Sequence, residues 1–488
     1  MQYVSTRGGN PVSGAQAIVQ GICPSGGLYV PERFPTLDTE RIFTAQGYQG
    51  VSQAVMQLFL DIPDATLTEY VQSAYGKAFD TPAIAPLVPL SATESVLELF
   101  HGPTLAFKDM ALQMLPYLMR DSLLRTGEDK QVYILVATSG DTGKAALEGF
   151  CNVPNTAIQV FYPHGGVSHA QWLQMATQQG SNVFVTGVKG NFDDAQTAVK
   201  QIFANDETAA SLAGKGYRLS SANSINFGRL LPQISYYVSA YKDLVTSERI
   251  QNGERINFCV PTGNFGNILA GYYAMRMGLP IHKLICASNR NNVLTDFFQR
   301  GTYNAKRPFH KSMSCSIDIL ISSNLERLLF DAANRNSTQV ATWMRDLSAQ
   351  GNYDVGAMIV EGLGEIFYAD WCDEADTLQT ICAHFERENY LMDPHTAVAQ
   401  TIYDRYLQKT GDNTQTVLLS TANPYKFASG VLAAFESPQE DDFVNIDRLF
   451  AITGCAIPES IHQLKEKPVL HTAVCELSEM PQRVLGVL

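Results

Sequence analysis

The sequence lacks a long apolar run, an excess of basic residues and a regular cysteine pattern. Its most apolar strand-like stretch, Val132–Ala137, is far shorter than the roughly 20 residues that a membrane-spanning helix needs. Lys and Arg number 35 against 48 Asp and Glu, a net charge of −13, which argues against binding to nucleic acid or to an anionic membrane surface. The nine cysteines are scattered and form no C-x-x-C pair. We therefore expect free thiols in a reducing compartment.

Targeting, metal-binding and hydrolase motifs are also missing. The first seven residues show no basic start followed by an apolar segment, so we expect a cytoplasmic protein. No H-E-x-x-H occurs, and His164 with His169 in a glycine-containing loop is a weak pair, so we expect no metal site. No G-x-S-x-G occurs either, which disfavours a serine hydrolase.

The chain instead shows strands that alternate with helices, in 488 residues of which 45% are hydrophobic. This alternation predicts an α/β fold with parallel sheets and crossover helices. The predicted strands are Val132–Ala137, Ile158–Tyr162, Val183–Val188, Ile256–Val260, Leu284–Ser288 and Val417–Ser420. The predicted helices are Asp109–Arg125 (kinked at Pro116), Gly143–Phe150, Val167–Gln178, Phe192–Ala204, Phe227–Leu244 and Asn267–Met277. Ligands of such sheets bind beyond the carboxyl ends of the strands.

One strand-to-helix turn has the composition of an anion site. In Pro261-Thr262-Gly263-Asn264-Phe265-Gly266-Asn267, the glycines allow a tight turn after which the N–H groups at the helix start can converge on an anion. The segment is neither a Walker loop nor a complete dinucleotide fingerprint. An ordinary turn remains the alternative.

A second turn, Thr138-Ser139-Gly140-Asp141-Thr142-Gly143, also follows a strand and opens a helix. Its hydroxyl groups could bind a small polar ligand, and Asp141 could cap the helix. Plain helix capping is the alternative, and we expect Lys144 to be a solvated helix residue.

Two cationic residues lie near helix starts. Lys108 follows His101-Gly102-Pro103-Thr104-Leu105-Ala106-Phe107, and a helix start favours a neutral amine that can attack a carbonyl. Arg229 follows Ser224 and could bind a phosphate in bidentate fashion. For either cation alone, a surface position is the ordinary expectation.

Taken together and in order, these segments resemble the threonine synthase family, pyridoxal-phosphate (PLP) enzymes of fold type II. The motifs that carry the resemblance are His101–Asp109, Thr138–Gly143, Pro261–Asn267, Asp393–Ala397 and Thr421–Phe427, and the resemblance extends over about residues 1–430. It implies two parallel-sheet lobes of three layers (α/β/α) and an additional N-terminal α+β domain. The implied domains are residues 1–85, 86–235 and 236–488.

The resemblance also implies a role for each matching residue. Lys108 is expected to hold PLP as a Schiff base and to act as the catalytic base. The other expected cofactor-binding residues are Gly263, Asn264, Phe265, Gly266 and Asn267 for the phosphate, Thr421 opposite the pyridine nitrogen, and Asp141 near the 3-oxygen. The expected substrate-binding residues are Thr138, Ser139 and Thr142 for the carboxylate, and Ser224 and Arg229 for the phosphate. An ionised Asp141 would repel the cofactor oxygen unless it is protonated or turned away.

The reaction that the resemblance implies is the conversion of O-phospho-L-homoserine and water to L-threonine and phosphate. A related PLP-dependent phospho-lyase or dehydratase that gives 2-oxobutyrate is the nearest alternative. A noncovalent anion- or nucleotide-binding protein and a catalytically dead relative are more distant ones. A monomer and a homodimer are both compatible with the sequence.

Overall fold

Strands and helices alternate through the middle of the chain in the computed structural model, which describes residues 1–138 and 140–486. The strands are β1 (Gln2–Ser5), β2 (Val12–Ser13), β3 (Tyr29–Pro31), β4 (Leu87–Pro89), β5 (Glu94–Glu98), β6 (Gln131–Ala137), β7 (Thr156–Pro163), β8 (Val183–Lys189), β9 (Tyr217–Ser220), β10 (Ile256–Pro261), β11 (Ile281–Ser288), β12 (Thr302–Asn304), β13 (Asn352–Asp354), β14 (Phe367–Trp371), β15 (Thr416–Ser420) and β16 (Val474–Glu476). Each strand predicted from the sequence lies inside one of these.

The helices cover both faces of the sheets. They are α1 (Gly14–Gln20), α2 (Thr39–Thr44), α3 (Gly47–Gln57), α4 (Asp64–Ala74), α5 (Asp109–Leu112), α6 (Leu115–Thr126), α7 (Asp141–Phe150), α8 (His169–Ala176), α9 (Phe192–Phe203), α10 (Asp206–Gly214), α11 (Phe227–Thr246), α12 (Gly266–Arg276), α13 (Val293–Arg300), α14 (Leu325–Ala332), α15 (Ser337–Gln350), α16 (Ala357–Gly364), α17 (Glu374–Glu388), α18 (Pro394–Thr410), α19 (Ala428–Leu432), α20 (Asp442–Thr453), α21 (Glu459–His462) and α22 (Met480–Gly486). Short 3₁₀ helices span Cys315–Ile317, Pro424–Phe427, Gln463–Lys465 and Leu477–Glu479.

Two separate sheets form the two lobes. The larger sheet has the strand order β14-β11-β10-β15-β5-β4, parallel except at β4. The smaller has the order β16-β8-β7-β6-β9 and is parallel throughout. The expected α/β fold with two parallel-sheet lobes is therefore confirmed.

Alternate side chains of a strand enter different cores, as β6 illustrates. Val132 and Ile134 pack into the main core with residues of α7, whereas Tyr133 and Leu135 pack on the other face with residues of α9, α10 and α22. Both faces of the strand are covered, which is why its sequence is apolar throughout rather than alternating.

The N-terminal unit is a small antiparallel sheet, β2-β1-β3, with helices α1–α4. It attaches to α14 through charged side chains, of which Glu326 and Arg327 are buried. Arg7 donates two hydrogen bonds to Glu326 (2.8 and 2.7 Å), and the Nε of Arg327 donates to the carbonyl oxygen of Tyr29 (2.9 Å). These contacts fix the N-terminal unit to the larger lobe.

The helix predicted over Asp109–Arg125 is wrong in one respect. It is two helices, α5 and α6, and the break precedes Pro116 rather than being a kink at it. A proline lacks the N–H of an interior helix position and crowds the preceding turn, but it is tolerated in the first turn. The chain therefore starts a new helix at Leu115.

The lobes draw strands from distant parts of the chain. β4 and β5 precede β6 in sequence but belong to the larger sheet, and β16 near the end of the chain completes the smaller one. The domain boundaries at residues 85 and 235 stay a prediction, since the chain crosses between the sheets more than once. No helix in the part of the chain that the structure describes is long and apolar enough to cross a membrane.

Candidate active site

Two of the loops singled out in the sequence lie at the carboxyl ends of neighbouring central strands of the larger sheet. Thr421 follows β15, and the loop that starts at Gly263 follows the adjacent strand β10. The backbone N–H of Phe107 donates to the carbonyl oxygen of Thr421 at 2.9 Å, and Ala106 forms an antiparallel bridge with Ala422. Lys108 is thereby placed at the same edge of the sheet as Thr421 and the glycine turn.

The loop before Lys108 is fixed by Asp109. Its buried carboxylate accepts the backbone N–H of Thr104 at 2.8 Å and the Thr104 hydroxyl at 2.7 Å. Gly102 packs directly on it, because a Cβ at that position would lie 2.5 Å from the Asp109 Cβ. These contacts restrain the backbone at the start of α5, and with it the position from which the Lys108 side chain extends.

Lys108 is buried, contrary to the ordinary expectation for a lone lysine. The residue is 8% exposed, and its Nζ lies 3.6 Å from Oδ2 of Asp141. Burial lowers the pKa of Lys108; Asp141 opposes that shift, and the nearby Lys426 and Arg229 add to it. A lysine whose pKa is lowered presents more of the neutral amine, the form that attacks carbonyls and accepts protons.

Asp141 carries a negative charge between two lysines. Burial alone would raise its pKa, but Lys426 and Lys108, with a 2.8 Å hydrogen bond from the Ser316 hydroxyl, hold the pKa well below its usual range. The Nζ of Lys426 lies 3.3 Å from Oδ1 of Asp141. Two lysines therefore compensate the charge of Asp141, whose lowered pKa favours the charged form of the side chain.

The rest of the hydroxyl-rich loop is partly used by its own turn. The Thr138 hydroxyl accepts the N–H of Gly140 at 3.0 Å and of Gly143 at 2.9 Å. Thr142 lies partly exposed in the first turn of α7, and Ser139 lies outside the described residues. Lys144 is not the solvated residue expected, because its ammonium is largely buried against Glu148 at 2.8 Å.

The glycine turn before α12 has the shape of an anion cradle. Phe265 adopts a left-handed backbone conformation (φ 63°) as N-cap of the helix, and a Cβ at Gly263 would lie 3.0 Å from the Ile317 Cα. The first N–H groups of a helix have no partner within it. The Ser322 hydroxyl donates to the carbonyl oxygen of Gly263 at 2.8 Å. The Asn324 side chain donates to the backbone carbonyl oxygen of Asn264 at 3.0 Å. These two carbonyl oxygens are therefore occupied, whereas none of the amides of residues 263–267 donates to another backbone group in the part of the chain that the structure describes.

The space beside Gly266 is lined by polar groups. A Cβ at this position would have the side chains of Asn324, Gln233 and Ser224 as its nearest neighbours, none within 3.4 Å. Asn267 is buried, with Oδ1 accepting the Tyr237 hydroxyl at 3.0 Å, and its Nδ2 has no hydrogen-bond partner in the described part of the chain. An unpartnered buried donor at a helix N-terminus fits a phosphate.

Arg229 is a buried guanidinium. It donates to the Ala222 carbonyl oxygen at 2.9 Å, and within the described residues its Nε has no hydrogen-bond partner and no carboxylate forms an ion pair with it. Burial lowers its pKa to about 10, so it remains a cation at neutral pH. Ser224 lies beside the glycine turn, because its Cβ is 4.0 Å from where a Cβ at Gly266 would be.

Three site residues were missed in the sequence: Lys426, Ser316 and His395. Ser316 is in a 3₁₀ helix, and its backbone N–H donates to Nε2 of His395 at 3.0 Å. The Nδ1 of His395 lies 2.6 Å from Oδ1 of Asp393, the N-cap of α18. The segments around residues 393–397 and 421–427 were conspicuous in the sequence, but nothing in them indicated that they meet Asp141.

The site as a whole combines three cations (Lys108, Lys426 and Arg229) with one carboxylate (Asp141). An amine for covalent attachment, a helix N-terminus with an unpartnered donor and a net positive charge fit a phosphorylated aldehyde cofactor together with an anionic substrate. The residues present therefore fit PLP.

Comparisons with known proteins agree with this assignment. The family model described as pyridoxal-phosphate dependent enzyme matches residues 85–422, that of the threonine synthase N terminus residues 2–75, and that of the threonine synthase C-terminal region residues 396–487. The last match extends the resemblance into the final residues, which carried no usable motif. Both the PLP cofactor and the additional N-terminal domain are thus confirmed.

Individual relatives cover most of the chain. Human threonine synthase-like 1 is 42% identical over 435 residues, which are 86% of this chain and 58% of that protein; the chain thus spans about three fifths of that relative's length. Threonine synthase of Pseudomonas aeruginosa is 40% identical over 88% of this chain and 90% of its own. The crystal structure of PLP-bound threonine synthase from Brucella melitensis is 36% identical and superposes with a TM-score of 0.89 over 100% of this chain and 99% of that one.

Proposed function

The chain belongs to the threonine synthase family of PLP-dependent enzymes, and on that premise we propose that it converts O-phospho-L-homoserine and water to L-threonine and phosphate. The observation that carries the proposal is Arg229, a buried guanidinium that forms no ion pair with a carboxylate of the described residues and lowers the pKa of nearby Lys108. A fixed cation in this place suits a substrate that bears a phosphate next to the reacting carbons.

The cofactor supplies an electron sink for negative charge at the substrate's α-carbon. Lys108 would hold its aldehyde carbon, the Gly263–Asn267 turn its phosphate, and Thr421 would lie opposite the pyridine nitrogen. Because the Thr421 carbonyl oxygen accepts the N–H of Phe107, the positions of Thr421 and Lys108 are coupled through the backbone. A neutral hydroxyl at Thr421 would not fix the ring nitrogen as a cation, unlike a carboxylate.

Lys108 is the proposed base for both proton transfers. Its Nζ would remove the proton from the substrate's α-carbon, give that proton up, and then remove one from the β-carbon as the γ-phosphate leaves. The γ-carbon would take up one of these protons and the α-carbon the other, while water would supply the hydroxyl group at the β-carbon and a proton to the departing phosphate. A base that accepts and returns protons works best with a pKa near the working pH. Burial lowers the pKa of Lys108 in that direction.

Substrate anions would be bound by two groups of residues. Arg229 would stabilise the departing phosphate, whose charge grows as the bond breaks, and Ser224 would supply a hydroxyl. The substrate carboxylate would be bound by Thr138, Ser139 and Thr142. The Thr138 hydroxyl oxygen already accepts two backbone N–H groups, and its own proton would be donated to the carboxylate.

Product analysis tests this proposal directly. Purified protein supplied with PLP and O-phospho-L-homoserine should release one L-threonine per phosphate. Release of phosphate with 2-oxobutyrate instead of threonine would assign the related lyase activity and refute the synthase. Release of neither product from protein that shows bound cofactor would refute O-phospho-L-homoserine as the substrate.

A further inference from the structure

The buried Lys426 is a charged residue of the site to which the proposed reaction gives no role. It lies in the 3₁₀ helix Pro424–Phe427 that follows β15, and its side chain is 1% exposed. Its ammonium donates to the carbonyl oxygen of Thr104 at 2.9 Å and to Oε1 of Gln174 at 3.3 Å, and lies 3.3 Å from Oδ1 of Asp141. These two hydrogen bonds and the ion pair with Asp141 hold the ammonium in place.

Asp141 depends on Lys426 on one side. Its Oδ2 has two partners, Lys108 and the Ser316 hydroxyl. Its Oδ1 is buried and forms no hydrogen bond within the described residues, so the Lys426 charge is what compensates it. A buried carboxylate without a compensating cation takes up a proton.

Lys108 cannot be a permanent partner for Asp141. To attack an aldehyde or accept a substrate proton, its amine must be neutral. At that point Asp141 would lose one of its two cations. Without Lys426, the carboxylate and the amine would compete for the same proton and titrate as a coupled pair.

We propose that Lys426 is a positioning residue that keeps Asp141 ionised throughout the reaction, so that the proton removed from the substrate resides on Lys108 and not on Asp141. Lys426 acts through Asp141 and not on the substrate. The proposal rests on the assignment of Lys108 as the cofactor lysine.

Few other titratable groups face Asp141. Besides Lys108 and Lys426, His395 at the start of α18 lowers the pKa of Asp141. Burial and, after it, Asp141 raise the pKa of the Cys315 thiol. His395 is engaged by Asp393 and by the Ser316 N–H. Neither residue replaces the contact that Lys426 makes with Oδ1.

The test is the visible absorbance of the PLP-loaded protein as a function of pH, a measurement that needs no substrate. In Lys426→Met, protonation of Asp141 should add a titration of the band with a midpoint between about pH 5 and 8. This titration should be absent from the unsubstituted protein and from Lys426→Arg, which keeps the charge. It should vanish again in Lys426→Met/Asp141→Asn, which has no carboxylate to titrate.

Lys144→Met is the matched control. Lys144 is on the same helix as Asp141, is also largely buried and pairs with Glu148 rather than Asp141, so its loss removes one cation and should leave the pH profile unchanged. Lys426→Gln provides a second neutral variant that can still donate to Thr104, in case the methionine variant does not fold.

Three results would overturn the proposal: a pH profile of Lys426→Met and Lys426→Gln identical to that of the unsubstituted protein, a new titration that persists in the double variant, or loss of the band from both neutral variants. The last would make Lys426 a residue for cofactor retention. The assignment of Lys108 is tested separately, since a borohydride-stable cofactor label that persists in Lys108→Ala would refute it without reference to Lys426.

Discussion

The Nζ of Lys108 lies 3.6 Å from Oδ2 of Asp141, and this contact joins the two lobes. Lys108 follows β5 of the larger sheet, whereas Asp141 follows β6 of the smaller one. The amine that we propose as the cofactor lysine and the carboxylate beside it are therefore contributed by different lobes. Any closure of the lobes on a substrate would change this distance and with it the protonation of the amine.

The two glycines of the proposed phosphate turn should respond differently to an added methyl group. At Gly266 the Cβ would meet no atom within 3.4 Å, so Gly266→Ala should fold normally. The added methyl group would occupy the space proposed for the cofactor phosphate. It should weaken PLP binding by about tenfold or more, since a lost charge-assisted hydrogen bond amounts to about 1.5–3 kcal/mol. At Gly263 the Cβ would lie 3.0 Å from backbone atoms of Ile317, so Gly263→Ala should also lower the melting temperature. Thermal unfolding and PLP titration separate the two effects. Normal PLP affinity in Gly266→Ala would place the phosphate elsewhere.

Two buried arginines should differ in their contribution to stability. Arg327 donates hydrogen bonds to Tyr29, Asn324 and Ile225, and Arg327→Met would leave these acceptors unpaired, at a cost of about 2–5 kcal/mol. Among the described residues, Arg229 has one such hydrogen bond, to Ala222, and its Nε has no partner. Arg229→Met should therefore change the free energy of unfolding by less than about 1 kcal/mol, or raise it. Denaturant unfolding of both variants measures this, and equal losses would mean that Arg229 is structural.

Arg229→Met should damage turnover of the phosphorylated substrate while leaving the cofactor absorbance intact. We expect kcat/KM for O-phospho-L-homoserine to fall by about 10²-fold or more, the usual effect of removing one group that stabilises developing charge. Arg218→Met is the control, because Arg218 lies on β9 and pairs with Glu128. Unchanged steady-state kinetics in Arg229→Met would remove Arg229 from the site.

Glu94 should make stability fall as the pH rises. Burial raises its pKa to about 7, while Gln400 opposes the shift and Asp404 adds to it. The folded state therefore binds this proton more tightly than the unfolded state, in which the pKa of Glu is about 4.3. Stability is lost as the pH rises from about 4.3 through about 7. Glu94→Gln removes the effect and should stabilise the protein by about 2 kcal/mol more at pH 8 than at pH 5. Thermal melts at both pH values, with the exposed Glu69→Gln as control, measure it; an equal shift at the two pH values would contradict the account.

The strands and glycine turns of the middle region could be predicted because they depend on local sequence. Val132–Ala137 is apolar throughout since both faces of β6 are buried, and Gly263 with Gly266 marks a strand-to-helix turn whatever surrounds it. The short strands β9 and β16 gave no such signal. β16 has three residues, and its place beside β8 is determined by tertiary contacts at the far end of the chain.

The charge compensation of the site could not be predicted. An aspartate at position 141 suggested repulsion of the cofactor oxygen, and only the folded chain brings Lys426 and Ser316 to it. An isolated arginine or lysine is ordinarily expected at the surface. Arg229 and Lys108 are buried because of how α11 and the loop before α5 pack. Contacts between residues hundreds of positions apart leave no periodic or local pattern in the sequence.

Borohydride reduction of the purified protein, followed by peptide mapping, tests the central claim that the site is built on Lys108. We predict that the visible band disappears on reduction and that the reduced cofactor is found on the peptide that contains Lys108, in a ratio of one cofactor per chain. Attachment to another lysine, Lys426 included, or no attachment in protein supplied with PLP, would contradict the account.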